Sequence, residues 1–280
     1  MYTVLVFTLI VLIGAFLAGL LGSLTGLGGG VIVIPLLTLG FGVDFHYAIG
    51  AALVACIATS SGSASAYVKE GITNIRLGMF LEIATTIGAV CGAAIAIFLN
   101  SNVIAVIFGL VLVFTVVMTL RKRGSDHEGV VGSPLAKKLK LYGTYPMKDG
   151  TIKSYTLTNV VPGFSVMWLA GVLSGLLGIG SGVLKVLAMD SAMKVPFKVS
   201  TTTSNFMIGV TAAASAVVYL QRGYIDPGIA LPIVIGVLIG SLSGAKLLKR
   251  LDVKPLKIIF CCAIFLVAIN MIYNGMLGKF

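Results

Sequence analysis

Acid is scarce in this sequence, with nine Asp or Glu in 280 residues against twenty Lys or Arg. Charged residues of both signs make up 10% of the chain and hydrophobic ones 58%, where soluble domains hold roughly a quarter charged, so a water-soluble core is excluded. Histidine occurs twice, His46 and His127, too few parts for a metal centre or a Ser-His-Asp arrangement. No loop ends in Gly-Lys-Ser/Thr, which removes ATP as an energy source bound by this chain. Gly26-Leu-Gly28-Gly-Gly30 follows an apolar run and not a strand, so it fails as a dinucleotide loop. Cys56, Cys91, Cys261 and Cys262 fall inside apolar runs without metal or disulfide spacing, and buried packing is their expected role. The net charge of +11 does not indicate nucleic acid, because the basic residues sit at the ends of apolar runs and in one central polar segment. Neither an enzyme nor a cofactor is expected.

What the chain has in quantity is apolar runs of about the 20 residues that cross a bilayer core. Eight qualify: 4–24, 47–68, 77–99, 103–120, 161–177, 199–220, 228–248 and 256–276. The first lacks a positive leader and is too long for a signal peptide, so it is read as a retained membrane segment.

The chain also repeats itself. At an offset of 152 residues, 17–99 aligns with 169–251 without gaps. Gly26, Gly28, Gly30 and Val31 match Gly178, Gly180, Gly182 and Val183, and Tyr67, Gly71, Gly88 and Gly92 match Tyr219, Gly223, Gly240 and Gly244. Gly88, Gly92, Gly236, Gly240 and Gly244 have the four-residue spacing of close helix packing. Gly28-Gly29-Gly30 and Gly180-Ser181-Gly182 disfavour continuous helix, so a break is expected at each, followed by a half-helix. Broken helices at matching positions of two halves point to a transporter's binding site.

Loop charge gives orientation, since Lys and Arg collect on the cytoplasmic side. The loop at 99–103 has none, while its partner carries Lys246, Lys249, Arg250, Lys254 and Lys257. This contrast predicts halves of opposite orientation, with the central segment in the cytoplasm, both termini outside, and the chain in the plasma (inner) membrane. The expected fold is an all-α polytopic membrane protein of two inverted-topology repeats, four to five segments each, with the glycine-rich breaks meeting at the midplane. The division is 1–121, first repeat; 122–160, basic linker; 161–280, second repeat. Within the linker, Ser133-Pro134 caps a short helix to Leu141, and Lys148-Asp149-Gly150 turns a hairpin. The linker either ties the halves together or regulates them.

Polar residues inside apolar runs are costly and are therefore candidate sites. The densest cluster is Ser200-Thr201-Thr202-Thr203-Ser204-Asn205, with Thr59, Ser60, Ser61 and Ser63 in the first half. Lys185 follows the second break; it is either an anion contact or part of a structural pair with Asp190. Lys198 precedes the cluster, at the position equivalent to His46. Glu82 is the carboxylate within a predicted span, and it either pairs with Arg76 or Lys69 or couples protons. Helix N-termini at the breaks offer free N–H groups and partial positive charge, which suit an anion. The candidate binding set is Gly28, Gly29, Gly30, Gly180, Ser181, Gly182, Lys185, Thr202, Thr203, Ser204 and Asn205. Candidates for coupling or gating are Glu82, His46, Lys198 and Asp190.

With Gly26-Leu-Gly28-Gly29-Gly30-Val-Ile-Val-Ile-Pro35, Gly178-Ile-Gly180-Ser181-Gly182 and Thr203-Ser204, the chain resembles the sulfite exporter TauE/SafE family of membrane permeases. The resemblance implies transport of sulfite, sulfonates or related sulfur-containing anions, usually outward. Ala51-Ala52 stand where the family has Thr-Ser, Ser181 where it often has glycine, and Leu187 where the first half has Pro35. These departures shift the expected site toward the second half. The partners implied are a small anionic substrate, the lipid bilayer and a coupling ion or proton. The alternatives are a non-transporting scaffold or sensor that docks a cytoplasmic partner through the basic segment, or an anion channel.

Overall fold

The computed structural model describes residues 4–25, 28–69, 71–120, 132–146, 151–247 and 253–280. The chain runs α1 (Val4–Thr25), α2 (Gly30–Phe41), α3 (Phe45–Lys69), α4 (Ile75–Ala96), α5 (Ser101–Leu120), α6 (Pro134–Lys138), β1 (Gly143–Pro146), β2 (Ile152–Tyr155), α7 (Val160–Leu177), α8 (Gly182–Leu187), a π turn (Ala188–Ala192), α9 (Phe197–Gln221), α10 (Pro227–Leu247) and α11 (Val253–Met276). Among the described residues, α1, α3, α4, α5, α7, α9 and α10 are long and apolar enough to cross a membrane. The eighth expected span lies in α11, of which Cys261–Met276 is the described apolar part. Outward-facing side chains are themselves apolar, such as Leu5, Leu9, Ile13 and Leu17 on α1, which lipid accepts and water does not. The molecule is a multi-pass membrane protein whose membrane part is all-α.

Both expected breaks are present, each followed by a half-helix. α1 stops at Thr25 and α2 starts at Gly30; α7 stops at Leu177 and α8 starts at Gly182. Gly28, Gly178 and Gly180 have φ of +80°, +68° and +69°, which glycine adopts at no steric cost. The second half-helix continues into the π turn that holds Asp190.

The offset of 152 governs the folded chain as well as the sequence. α9 begins and ends 152 residues beyond α3, and the contacts between helices repeat with the halves exchanged. α7 of the second half packs on α4 of the first, and α1 of the first on α10 of the second. A Cβ at Gly88 or Gly92 of α4 would stand 2.2 Å from the Trp168 carbonyl oxygen or 2.0 Å from that of Val172 on α7. At the equivalent Gly240 and Gly244 of α10 it would meet the carbonyl oxygens of Phe16, at 2.1 Å, and Leu20, at 2.7 Å, on α1. The glycine spacing therefore serves backbone-to-backbone packing, as the sequence indicated. Gly175 is the tightest of these positions, 1.9 Å from the Ala89 carbonyl oxygen. Gly175→Ala should destabilise the protein by about 1–3 kcal/mol, read by thermal unfolding in detergent, because only a shift of whole helices makes room.

The two central helices, α3 and α9, are equivalent in the repeat and run antiparallel. Ser60, toward the end of α3, donates to the Asn205 carbonyl near the start of α9 at 2.6 Å. At the other end His46 and Tyr47 of α3 pack on Tyr224, just past α9.

The central segment forms a small cap. β1 and β2 pair antiparallel, Gly143 with Tyr155 through Pro146 with Ile152; the expected turn at 148–150 lies outside the described residues. α6 ends at Lys138, short of the expected Leu141, because Lys140 turns to φ +51°. The cap reaches the membrane helices through Asn74, whose Nδ2 donates to the Tyr155 hydroxyl at 2.7 Å and whose N–H donates to Thr203 Oγ1 at 3.1 Å. Burial pushes the Tyr155 phenol up to about 12, against the opposing pull of Asn74 and with a smaller push from Tyr145, so it stays neutral at working pH.

Candidate functional site

The two glycine breaks, 152 residues apart in sequence, touch. A Cβ at Gly30 would lie 2.7 Å from the Gly178 carbonyl oxygen, and one at Gly28 3.6 Å from that of Ile179. Cys56 of α3 sits between them, its Sγ donating to the Gly178 carbonyl at 3.7 Å. Packing was the role expected of all four cysteines; Cys56 and Cys261 are buried, while Cys91 and Cys262 face outward. Gly29 N–H donates to Thr59 Oγ1 at 3.3 Å, and Ser204 Oγ donates to the Gly182 carbonyl at 3.0 Å. α3 and α9 thus each tie a hydroxyl to the break in their own half.

Ser181 occupies the left-handed region at φ +47°, a conformation that costs a non-glycine residue roughly 1 kcal/mol and suits the glycine expected there. Its hydroxyl is buried without a partner, as is the Asn205 side-chain nitrogen. Ser181 lines a cleft with Val31, Thr115, Ile179, Val183 and Leu184 that has room for about one water molecule. An anion of several heavy atoms requires this joint to open.

Lys185, one turn beyond Gly182, has no exposed surface. Its Nζ donates to the Met207 carbonyl at 3.2 Å and to Thr211 Oγ1. Thr211 in turn donates to Glu82 Oε1, which also accepts from Thr86 at 3.3 Å. Three helices, α8, α9 and α4, are joined by this polar line. Glu82 is therefore not bound to Arg76, whose Nη1 donates to the Lys140 carbonyl at 3.4 Å. Glu82 lies inside the molecule, 5% exposed, and its Oε2 has no partner. Thr211 was not singled out from the sequence, where it is a lone hydroxyl before three alanines.

Other candidates lie elsewhere. Thr202 donates back to the Lys198 and Val199 carbonyls at 3.1 Å, and Thr203 accepts from Asn74. Lys198 is exposed in the first turn of α9, and Asp190 is buried in the π turn. His46 is in the first turn of α3, with Nε2 near the Ala96 carbonyl at 3.3 Å, Nδ1 3.5 Å from Asp44, and its ring stacked on Tyr224. Thirteen residues of helix, roughly 20 Å, separate it from Thr59. Among the described residues no cluster of three or more His, Cys, Asp or Glu could hold a metal ion.

The sulfite exporter TauE/SafE profile matches residues 11–271, almost the whole membrane-embedded chain. The chain belongs to this family. Relatives extend over most of its length: a probable membrane transporter protein of Bacillus subtilis, YunE, is 29% identical over 96% of this chain and 98% of its own. A second from Bacillus subtilis, YdhB, is 24% identical over 92% and 96%. An archaeal one, MJ0441 of Methanocaldococcus jannaschii, is 26% identical over 89% of each chain. No solved structure matches significantly.

Proposed function

We propose that this TauE/SafE protein is a secondary transporter of small sulfur-containing anions, sulfite or organosulfonates, by alternating access. The observation that carries the reading is the contact between the two glycine breaks beside a fully buried lysine. A buried cation beside the start of a half-helix favours an oxyanion. The anion-binding set in this reading is Gly28, Gly29, Gly30, Gly180, Ser181, Gly182, Lys185, Ser204 and Asn205. Thr202 and Thr203 shape the same helix from positions already bonded to neighbours.

Antiparallel α3 and α9 support inverted repeats about a two-fold axis in the membrane plane, because equivalent helices related by an axis along the normal run parallel. The orientation follows from the loop charges, with the central segment of the linker cytoplasmic and the chain in the plasma membrane. The names of the curated relatives agree with transport and give no substrate.

Purified protein in liposomes should accumulate labelled sulfite or a small sulfonate down an imposed gradient, with saturating kinetics. Non-saturating flux would support a channel, and no flux of any sulfur oxyanion would support the scaffold. Cys56 gives a second readout. Its thiol should resist a membrane-impermeant thiol reagent in the closed state and react from one face at a time as substrate cycles; equal reaction from both faces at once contradicts alternating access.

A further inference from the structure

The repeat supplies an internal control for the polar line across α8, α9 and α4. At the 152-residue offset Lys185 corresponds to Val33, Glu82 to Val234, Thr85 to Val237 and Thr86 to Leu238. Thr211 alone keeps its chemistry, as Thr59. The repeat forms this junction twice: α2, α3 and α10 bring Val33, Thr59 and Val234 to one, and α8, α9 and α4 bring Lys185, Thr211 and Glu82 to the other. The fold therefore does not demand the charges, and burying them is costly. Their presence at only one of the two equivalent junctions, Glu82 from the first half and Lys185 from the second, marks a function.

We propose that Glu82 is the proton-binding group of the transport cycle, taking up one proton as an anion settles at Lys185, with Thr211 bridging the two. Charge balance gives the reason. Empty, the buried site holds one cation and one carboxylate and is neutral. An arriving monoanion leaves two negative charges against one ammonium, and a proton on Glu82 returns the sum to zero. The occluded site then carries no net charge through the low-dielectric interior in either form, so one anion and one proton move together in the same direction. Glu82 Oε2, buried and without a partner, is the oxygen available to the proton.

At this junction Glu82 and Lys185 are the charged groups that Thr211 joins. α7 carries no titratable side chain between Val160 and Leu177. α9 offers Lys198 and Tyr219, thirteen and eight residues from Thr211, and the Cys56 thiol of α3 lies within electrostatic reach of Lys185. Asp190 sits in the π turn after α8. On α4, Arg76 is bonded to the cap and Cys91 faces outward.

The inference rests on the transporter reading, and the test separates the two. Wild-type protein and Glu82→Gln are reconstituted in liposomes that hold a pH-sensitive dye, and flux is driven with ethanesulfonate, a strong-acid anion that carries no proton of its own. Wild type should move about one proton per sulfonate, with a rate indifferent to membrane potential. In Glu82→Gln, whose amide mimics the protonated acid, the proton-to-sulfonate ratio should fall at least tenfold and flux should become potential-driven. Wild-type sulfonate flux without protons, or a wild-type ratio in the variant, overturns the coupling role alone. No sulfonate flux in wild type overturns the transporter reading with it. If Glu82→Gln does not fold, the infrared difference spectrum of wild type on adding ethanesulfonate decides, since it should gain a protonated-carboxyl band. Absence of that band overturns the proposal.

Discussion

Lys185→Val should cost about 3–5 kcal/mol of stability, and adding Glu82→Val should return most of it. The single change leaves the Glu82 carboxylate buried and without its cation, the situation in which breaking an internal ion pair is most damaging. The double change rebuilds the junction with the side-chain types that its repeat counterpart already uses, Val33 and Val234. Chemical or thermal unfolding in detergent measures both, and the coupling energy of the cycle is the quantity of interest. A single variant as stable as wild type, or a double variant as unstable as the single, contradicts the pairing. Transport should be lost in both, which separates what the pair does for folding from what it does for the anion.

Gly30→Ala is the second large effect expected. The added methyl would stand 2.7 Å from the Gly178 carbonyl oxygen and 2.9 Å from Cys56 Sγ, so the two breaks cannot keep their contact. A strain of about 1–3 kcal/mol at a joint that must open and reclose corresponds to roughly a 10- to 100-fold loss in transport rate. Gly40 makes the comparison, because a Cβ there meets nothing within 4 Å. Gly40→Ala, on the same half-helix, should transport normally. Equal loss in both would mean that the half-helix tolerates no change anywhere, and the special role of the joint would fall.

The breaks, the half-helices and the repeat could be read from residue types because each depends on local chemistry and on one constant offset. Clustered glycines weaken a helix enough to mark the breaks, and the match between copies located both. The Glu82–Thr211–Lys185 line could not be read from spacing, since its members lie 129 and 26 residues apart and meet only through packing of α4, α8 and α9. A signal existed all the same: in the aligned copies, valine faces Lys185 and Glu82 at the matching positions. The Ser/Thr cluster was legible as a polar face, but not the direction of each hydroxyl. Thr202 turns to its own helix and Ser204 to the break, two residues apart.

The exchange of partners between copies, with α1 seated on α10 and α7 on α4, has a consequence for how such a chain arises. A lone copy of the unit would leave both glycine furrows open to lipid. The surface that fits them is the furrow-bearing face of a second copy. In the proposed inverted arrangement, a half-length ancestor would have existed as a pair inserted both ways, and fusion through the linker would have made that arrangement heritable within one gene. Once fused, only one of the two equivalent junctions needed to keep the charges.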